Sequence, residues 1–499
     1  MFEAAKVGRK VSKDVFQKSE PDLRTRLLAA QRSLREQGVT TLVLVAGMEG
    51  AGKGDVVNRL KEWLDARGVQ VQAFWDETEE EKERPRFWRF WRALPPRSEI
   101  AILFGGWYQC PIEQRFFGHW NDDQLERELR RIREFERMLI EDGVLIVKFW
   151  YHYAEKDQRN RLKKLARDDR SRWKMLPKKA KFSDQYRLFE HVADIAVRKT
   201  DIGRAPWYVI EASDRRYRDL TTGQTLLRAM ETHLEHREVK PDGDEPAAGS
   251  PLLPDDPNAQ LTLIDTVDQS QTLGKQVYDK ELKRLQNELN ELAWRAYKAG
   301  RTTVMVFEGV DAGGKGGAIR RVTNAIDARL YRVVSVAAPT DEEMAHHYLW
   351  RFWRHIPRAG RMIVFDRSWY GRVLVERVEG FTTPHHWQRA YLEINDFEEQ
   401  LVDSGAIVLK FWLQISSDEQ LARFKAREVT PYKQHKITDE DWRNREKWDD
   451  YRLAVNEMLV RTSTESAPWT LVAGDNKRSA RIQVLNTISE TLSDALGKT

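Results

Sequence analysis

The chain has 499 residues, more than one hydrophobic core usually serves, so two domains are the starting expectation. It is 41% hydrophobic and 32% charged, and no apolar run reaches the length of a bilayer crossing, so no membrane partner is expected. The 83 basic and 78 acidic residues leave a net +5, too small to argue for a nucleic-acid partner from net charge.

In chain order, the first twenty residues carry Lys6, Arg9, Lys10, Lys13 and Lys18 with no apolar stretch behind them. They do not form a secretory leader, and a cytoplasmic location is expected. Residues 23–37 have helical spacing, and residues 40–45 form a β-rich run that leads through the glycine-rich turn 47–54 into another helix. Phe87, Trp88, Phe90 and Trp91 are spaced as one buried helix face. Apolar runs at 99–104 and 144–150 alternate with helical stretches, and between them lies the single cysteine, Cys110, which excludes an intramolecular disulfide and a cysteine-rich metal cluster. Window 155–181 holds twelve Lys or Arg and four Asp or Glu; it is either a solvated basic face or a polyanion-binding lid. Residues 240–258, with Pro241, Pro246, Pro251, Pro254 and Pro257 and no apolar periodicity, read as a linker between domains 1–239 and 259–499.

Beyond the linker the same series returns. Residues 281–299 are helical, 302–307 β-rich, and 363–365 and 406–413 apolar; Leu349, Phe352, Trp353 and Ile356 repeat the aromatic face. Lys53 and Lys315, Trp91 and Trp353, Trp107 and Trp369, and Trp207 and Trp469 all stand 262 residues apart, and residues 39–216 align with their counterparts without a gap. Such a register means a fused duplication. The fold class expected is α/β: a tandem duplication of a P-loop kinase-like domain, with a parallel sheet flanked by helices and a helical lid in each copy.

The chemistry concentrates in the second copy. Gly309-Val310-Asp311-Ala312-Gly313-Gly314-Lys315-Gly316 follows a β-rich run and opens a helix. Its glycines let the backbone approach an anion, its amides face that anion, and Lys315 adds a point charge. The usual Ser or Thr after the lysine is replaced by Gly316, and by Gly54 in the first copy, so carboxylates must hold any metal. Asp311 in the loop and Asp366, where a Walker-B aspartate would stand, are the candidates. Arg367 and Arg372 follow Asp366, with Glu376 one helical turn later; two guanidinium groups beside a metal carboxylate suit phosphoryl oxygens.

The loop Glu308-Gly309-Val310-Asp311-Ala312-Gly313-Gly314-Lys315-Gly316-Gly317, the segment Asp366-Arg367-Ser368-Trp369-Tyr370 and the tail Ala467-Pro468-Trp469 together resemble the polyphosphate kinase 2 family. The match covers nearly all of the second copy and, more weakly, the first. The fused form resembles the branch that phosphorylates nucleoside monophosphates, chiefly AMP to ADP, with inorganic polyphosphate as donor. The resemblance implies Mg²⁺ held around Asp311 and Asp366, and Lys315, Arg367 and Arg372 on phosphates. It also implies a basic helical lid with Arg423, Arg427, Lys433 and Lys436 as contacts, alongside the cradle glycines Gly309, Gly313, Gly314, Gly316 and Gly317.

Applied to the first copy, the repeat offset turns Glu308 into Ala46, Asp366 into Phe104, Arg367 into Gly105, Arg372 into Cys110 and Glu376 into Gln114, while Gly52, Lys53 and Gly54 remain. That copy is expected to bind an anion at most. An ATP-dependent nucleoside monophosphate kinase is the rival enzyme reading. A non-catalytic polyanion- or nucleic-acid-binding protein is the rival outside enzymes, though pure binding would not need two metal carboxylates. The oligomeric state is left open.

Overall fold

A computed structural model describes residues 1–167, 184–239 and 262–497 of the chain. The expected linker and residues 168–181 of the basic window lie outside the described residues. The chain divides into two compact units: Met1–Glu77 with Phe90–Gly243 and Met344–His347, and Thr78–Arg89 with Asp244–Glu343 and Tyr348–Thr499.

The first unit is built on β1 (Thr41–Gly47), β2 (Val69–Ala73), β3 (Ile100–Phe104), β4 (Leu145–His152) and β5 (Trp207–Glu211), in the order β2-β3-β1-β4-β5. The second is built on β6 (Thr303–Gly309), β7 (Tyr331–Ser335), β8 (Met362–Asp366), β9 (Ile407–Gln414) and β10 (Trp469–Ala473), in the order β10-β9-β6-β8-β7. Every neighbouring pair is parallel, and the two orders are the same order. Even the register repeats, with Thr41 opposite Ile100 and Thr303 opposite Met362.

Burial explains why these runs form strands. All eight residues of β9 are buried, as a parallel strand covered on both faces requires, whereas edge strand β7 is largely exposed. On one face Met305, Phe307, Leu409 and Phe411 meet Leu285, Leu289 and Leu292 of the helix Lys275–Lys298, and Val484, Leu485 and Ile488 of the helix Lys477–Leu496. On the other, Phe365 meets Phe352 and Trp369, and Trp353 meets Phe397 of the helix Pro384–Asp403. The aromatic clusters are therefore buried helix faces, as their spacing predicts, and Phe90 and Trp91 likewise contact Trp107 and Phe135 in the first unit. Two helices run further toward the N-terminus than their apolar spacing predicts. The first spans Lys13–Glu36 because Ser12 caps it, its Oγ accepting from the Val15 amide at 3.2 Å.

The chain leaves β6 for the edge strand β7, returns through β8, and then crosses to β9 on the other side of β6. The strand order therefore reverses beside β6, and its C-terminal end is where an open α/β sheet places a ligand. Among the described residues no helix is long and apolar enough to cross a membrane.

Candidate active site

At that end of β6 the backbone dictates the residue types. Gly309 has φ +147°, and a Cβ there would lie 2.4 Å from the Leu413 carbonyl oxygen on β9, so only glycine permits the approach. Gly314, at φ +107°, caps the helix Lys315–Thr323. Gly313 donates its amide to the Val310 carbonyl at 2.8 Å, while Gly316 and Gly317 occupy the first helical turn. Lys315 Nζ donates to the Gly309 carbonyl at 2.6 Å, which holds its charge over the loop.

Asp311 is pinned on both carboxylate oxygens: Asn444 Nδ2 donates to Oδ2 at 2.8 Å, and Arg367 Nη2 lies 3.4 Å from Oδ1. Arg367 sits in the left-handed region at φ +64°, and its amide donates to the Phe307 carbonyl at 3.1 Å. Burial works against its charge, but the carboxylates of Asp311, Glu308, Glu440 and Asp366 raise its pKa above the ordinary arginine value. Asp366 ends β8 opposite Phe307. Beneath the loop Glu308 is buried and accepts from Ser368 Oγ at 2.8 Å; burial pushes its carboxyl up, while Lys315 and Ser368 pull it back.

Asp311, Lys315 and Arg367 thus line one cleft of about 800 Å³. Arg372 and Glu376 lie beside it as an ion pair at 2.9 Å, with the Arg372 guanidinium over the Tyr348 ring and donating to Thr382 at 2.9 Å. The lid follows β9 as the helices Ser417–Glu428 and Asp439–Glu446. Arg423, expected on phosphate, is buried and turned onto the backbone: it donates to the carbonyls of Ala312 at 2.8 Å and Gly474 at 2.7 Å and so braces the loop from behind. Arg427 stands 4.0 Å from Asp441, and the side chains of Lys433 and Lys436 lie outside the described residues.

Asn444 and Glu440 escape motif reading because they lie far along the chain, on the lid. The repeat holds a signal for both: the first copy has Phe182 and Lys178 at those positions, so they change along with Asp366 and Arg367.

In the first unit the corresponding cleft is about 430 Å³. Lys53 Nζ donates to the Gly47 and Met48 carbonyls at 2.8 and 3.1 Å, and Glu49 takes the place of Asp311. The buried pair Glu308 and Ser368 is lost together, as Ala46 and Gly106. What persists is scaffold. Trp107 and Tyr108 donate to Glu136, which pairs with Lys148 at 2.8 Å; Trp369 and Tyr370 donate to Glu398, which pairs with Lys410 at 2.7 Å. The Asp366–Tyr370 segment therefore has a part, Asp366–Ser368, that the first copy lacks, and a buried scaffold part, Trp369 and Tyr370, that both copies share.

Among the described residues no group of three or more His, Cys, Asp or Glu forms a ready metal cluster. Two carboxylates beside a phosphate cradle nevertheless fit Mg²⁺, which commonly keeps water and substrate phosphates as its remaining ligands. A parallel sheet with a glycine-lysine loop at its switch point, flanked by carboxylates and arginine, defines a phosphate-handling P-loop domain of kinase type. The family profile of polyphosphate kinase 2 matches residues 10–238 and 272–498, and the chain belongs to that family. It is 48% identical over 499 residues to the polyphosphate:AMP phosphotransferase of Pseudomonas aeruginosa, covering all of both chains. It is 37% identical over 482 residues to that of Acinetobacter johnsonii, covering 95% of this chain and 96% of the other. A crystal structure of a candidate polyphosphate kinase 2 from Pseudomonas aeruginosa PA01 superimposes with a TM-score of 0.88 at 46% identity, covering all of both chains.

Proposed function

We propose that the second unit transfers a phosphoryl group from inorganic polyphosphate to a nucleoside monophosphate, chiefly AMP, and that the first unit does not catalyse. The observation that carries the chemistry is the convergence of Asp311, Lys315 and Arg367 on one cleft; the names of the full-length relatives supply the donor and acceptor.

An oxygen of the acceptor phosphate forms a new bond to the terminal phosphorus of the donor. The bond from that phosphorus to its bridging oxygen breaks, leaving a nucleoside diphosphate and a polyphosphate one unit shorter. The acceptor monoester already carries about −1.5 to −2 charge at pH 7, so no general base is needed. The task is to align two anions that repel each other. Lys315 and Arg367 supply positive charge at the loop, Arg372 adds a second guanidinium held by Glu376, and the loop amides face the phosphates. Asp311 and Asp366 would hold Mg²⁺, which when bound neutralises phosphate charge. Asn444 orients Asp311 by donating to one of its oxygens at 2.8 Å, with Arg367 3.4 Å from the other. A reducing, cytoplasmic setting goes with this reading and with the single Cys110.

Incubating the protein with AMP, Mg²⁺ and either long-chain polyphosphate or ATP tests it. ADP formed from polyphosphate and AMP is the expected result. Turnover with ATP alone would replace polyphosphate as donor, and turnover with neither would overturn the reading.

A further inference from the structure

The cleft has two kinds of wall. Lys315, Arg367 and Asp311 belong to the loop side; the rest includes the apolar and aromatic Ile264, Trp412, Trp448, Tyr451 and Val455. Arg452 also lines the cleft, but its charge is tied to Asp265 at 3.0 Å, so the aromatic and aliphatic lining suits a flat, weakly polar ring. Tyr451 joins the two ends, since its hydroxyl donates to Asn444 Oδ1 at 3.3 Å and Asn444 holds Asp311.

Ile264 reaches this wall from the short turn Leu263–Thr266. The turn is fastened by the Leu263 amide donating to Asn456 Oδ1 at 2.9 Å and by Arg452 pairing with Asp265 at 3.0 Å. Further along the same segment, Gln269 donates to the Gln414 carbonyl at 3.0 Å.

The duplication carries a built-in comparison. The offset holds upstream of residue 39 too, since the helices Lys13–Glu36 and Lys275–Lys298 start 262 residues apart, so Ile264, Trp412, Gln414 and Tyr451 correspond to Phe2, Trp150, His152 and Phe189. In the first unit the Phe2 ring is 2% exposed and lies stacked on Trp150, with centroids 5.5 Å apart, and on His152, at 4.5 Å. An aromatic ring of the chain itself therefore lies against Trp150, the counterpart of Trp412.

We propose that the apolar end of the second unit's cleft receives the purine base of the acceptor, and that Ile264 is the residue that keeps this slot open. Phe2 closes the equivalent slot of the first unit. The inference rests on the proposed acceptor but concerns binding, so it is tested apart from turnover. Adenosine, which has no phosphate, is titrated calorimetrically into the full-length protein and its Ile264→Phe variant without donor or metal. The variant should weaken adenosine binding about tenfold or more, because an added ring overfills a formed site. The KM for AMP should rise in step, with kcat at saturating AMP and the KM for polyphosphate held near wild type. A folded Ile264→Phe protein that binds adenosine as wild type does would overturn the assignment. Should that variant fail to fold, Phe2→Ala in the full chain decides instead: a second adenosine site is expected, and a stoichiometry unchanged at one site per chain rejects the occlusion. Failure of the wild type to phosphorylate AMP would overturn the proposed function and leave the slot to be judged by adenosine alone.

Discussion

Arg367 holds a conformation that its own side chain disfavours. Its φ of +64° falls where the first copy has Gly105 at φ +88°, so a left-handed turn common to both units carries glycine in one and arginine in the other. A strained non-glycine residue costs roughly 1–3 kcal/mol and persists where the site needs its side chain. Arg367→Gly should therefore leave stability unchanged or raise it by about 1 kcal/mol, while turnover falls by about 100-fold or more; thermal melts and initial rates on one preparation would show both. Asn444 acts through Asp311. Asn444→Ala should lower kcat about 10- to 100-fold and raise the Mg²⁺ concentration needed for half-maximal rate, with little change in melting temperature. Lys315→Ala or Asp366→Asn should abolish turnover in a folded protein, whereas Lys53→Ala should leave the chemical step in place; a dead Lys53→Ala enzyme would contradict a single catalytic unit.

At the scale of the element, the turn after β8 is anchored from below. Burial pushes Glu398 up and Lys410 down, so both groups resist charge, yet each is saturated with hydrogen bonds, Lys410 also donating to the Thr462 carbonyl at 2.6 Å. Removing one partner strands the other: Lys410→Met should cost about 3–5 kcal/mol, read as a lower urea midpoint, and adding Glu398→Gln should return much of it. His152 behaves differently. Burial, opposed by Glu190, pushes it down from 6.5 to about 4. The unfolded chain then takes up the proton first, so the stability of the first unit is complete above pH 6.5 and is lost as pH falls toward 4, by up to about 3 kcal/mol. His152→Gln, which installs the residue found at Gln414, should flatten that acid limb in denaturation measured at pH 7 and pH 4.5; an unchanged acid limb would show that His152 does not carry it.

Over the whole molecule, the first unit lacks counterparts of Asp366, Arg367 and Arg372 but keeps a basic loop that can bind. Its loop keeps Gly52 and Lys53, and the basic window 155–181 follows β4. A second basic surface on one molecule raises the local concentration of a long polyanion without touching the chemistry. Neutralising Lys163, Lys164, Arg167 and Arg170 together should raise KM for long polyphosphate, leave kcat nearly unchanged and matter little for short chains. Added salt should shrink the difference, since exposed charges are screened within about 10 Å at 0.1 M. Rates against donors of several lengths decide this, and an unchanged KM for the longest would leave the window a solvated face.

The duplication, the α/β pattern, the loop 309–317 and the carboxylate and arginine at the end of β8 were legible along the chain. Each is a local pattern or a repeat: glycines required by backbone geometry, apolar runs for strands buried on both faces, and a constant offset between copies. The edge strands Val69–Ala73 and Tyr331–Ser335 left little mark, because exposed edges need no continuous apolar run. What depends on where distant segments meet came from the folded chain. It brought Asn444 to Asp311 across 133 residues, turned Arg423 onto loop carbonyls, and put Ile264 and Phe2 on corresponding walls. It also divided Asp366–Tyr370 between cleft and core, because Trp369 and Tyr370 face the buried Glu398 while Arg367 faces the cleft. A side chain's direction follows from turn conformation and from what encloses it, and neither is written in the spacing of residues along the chain.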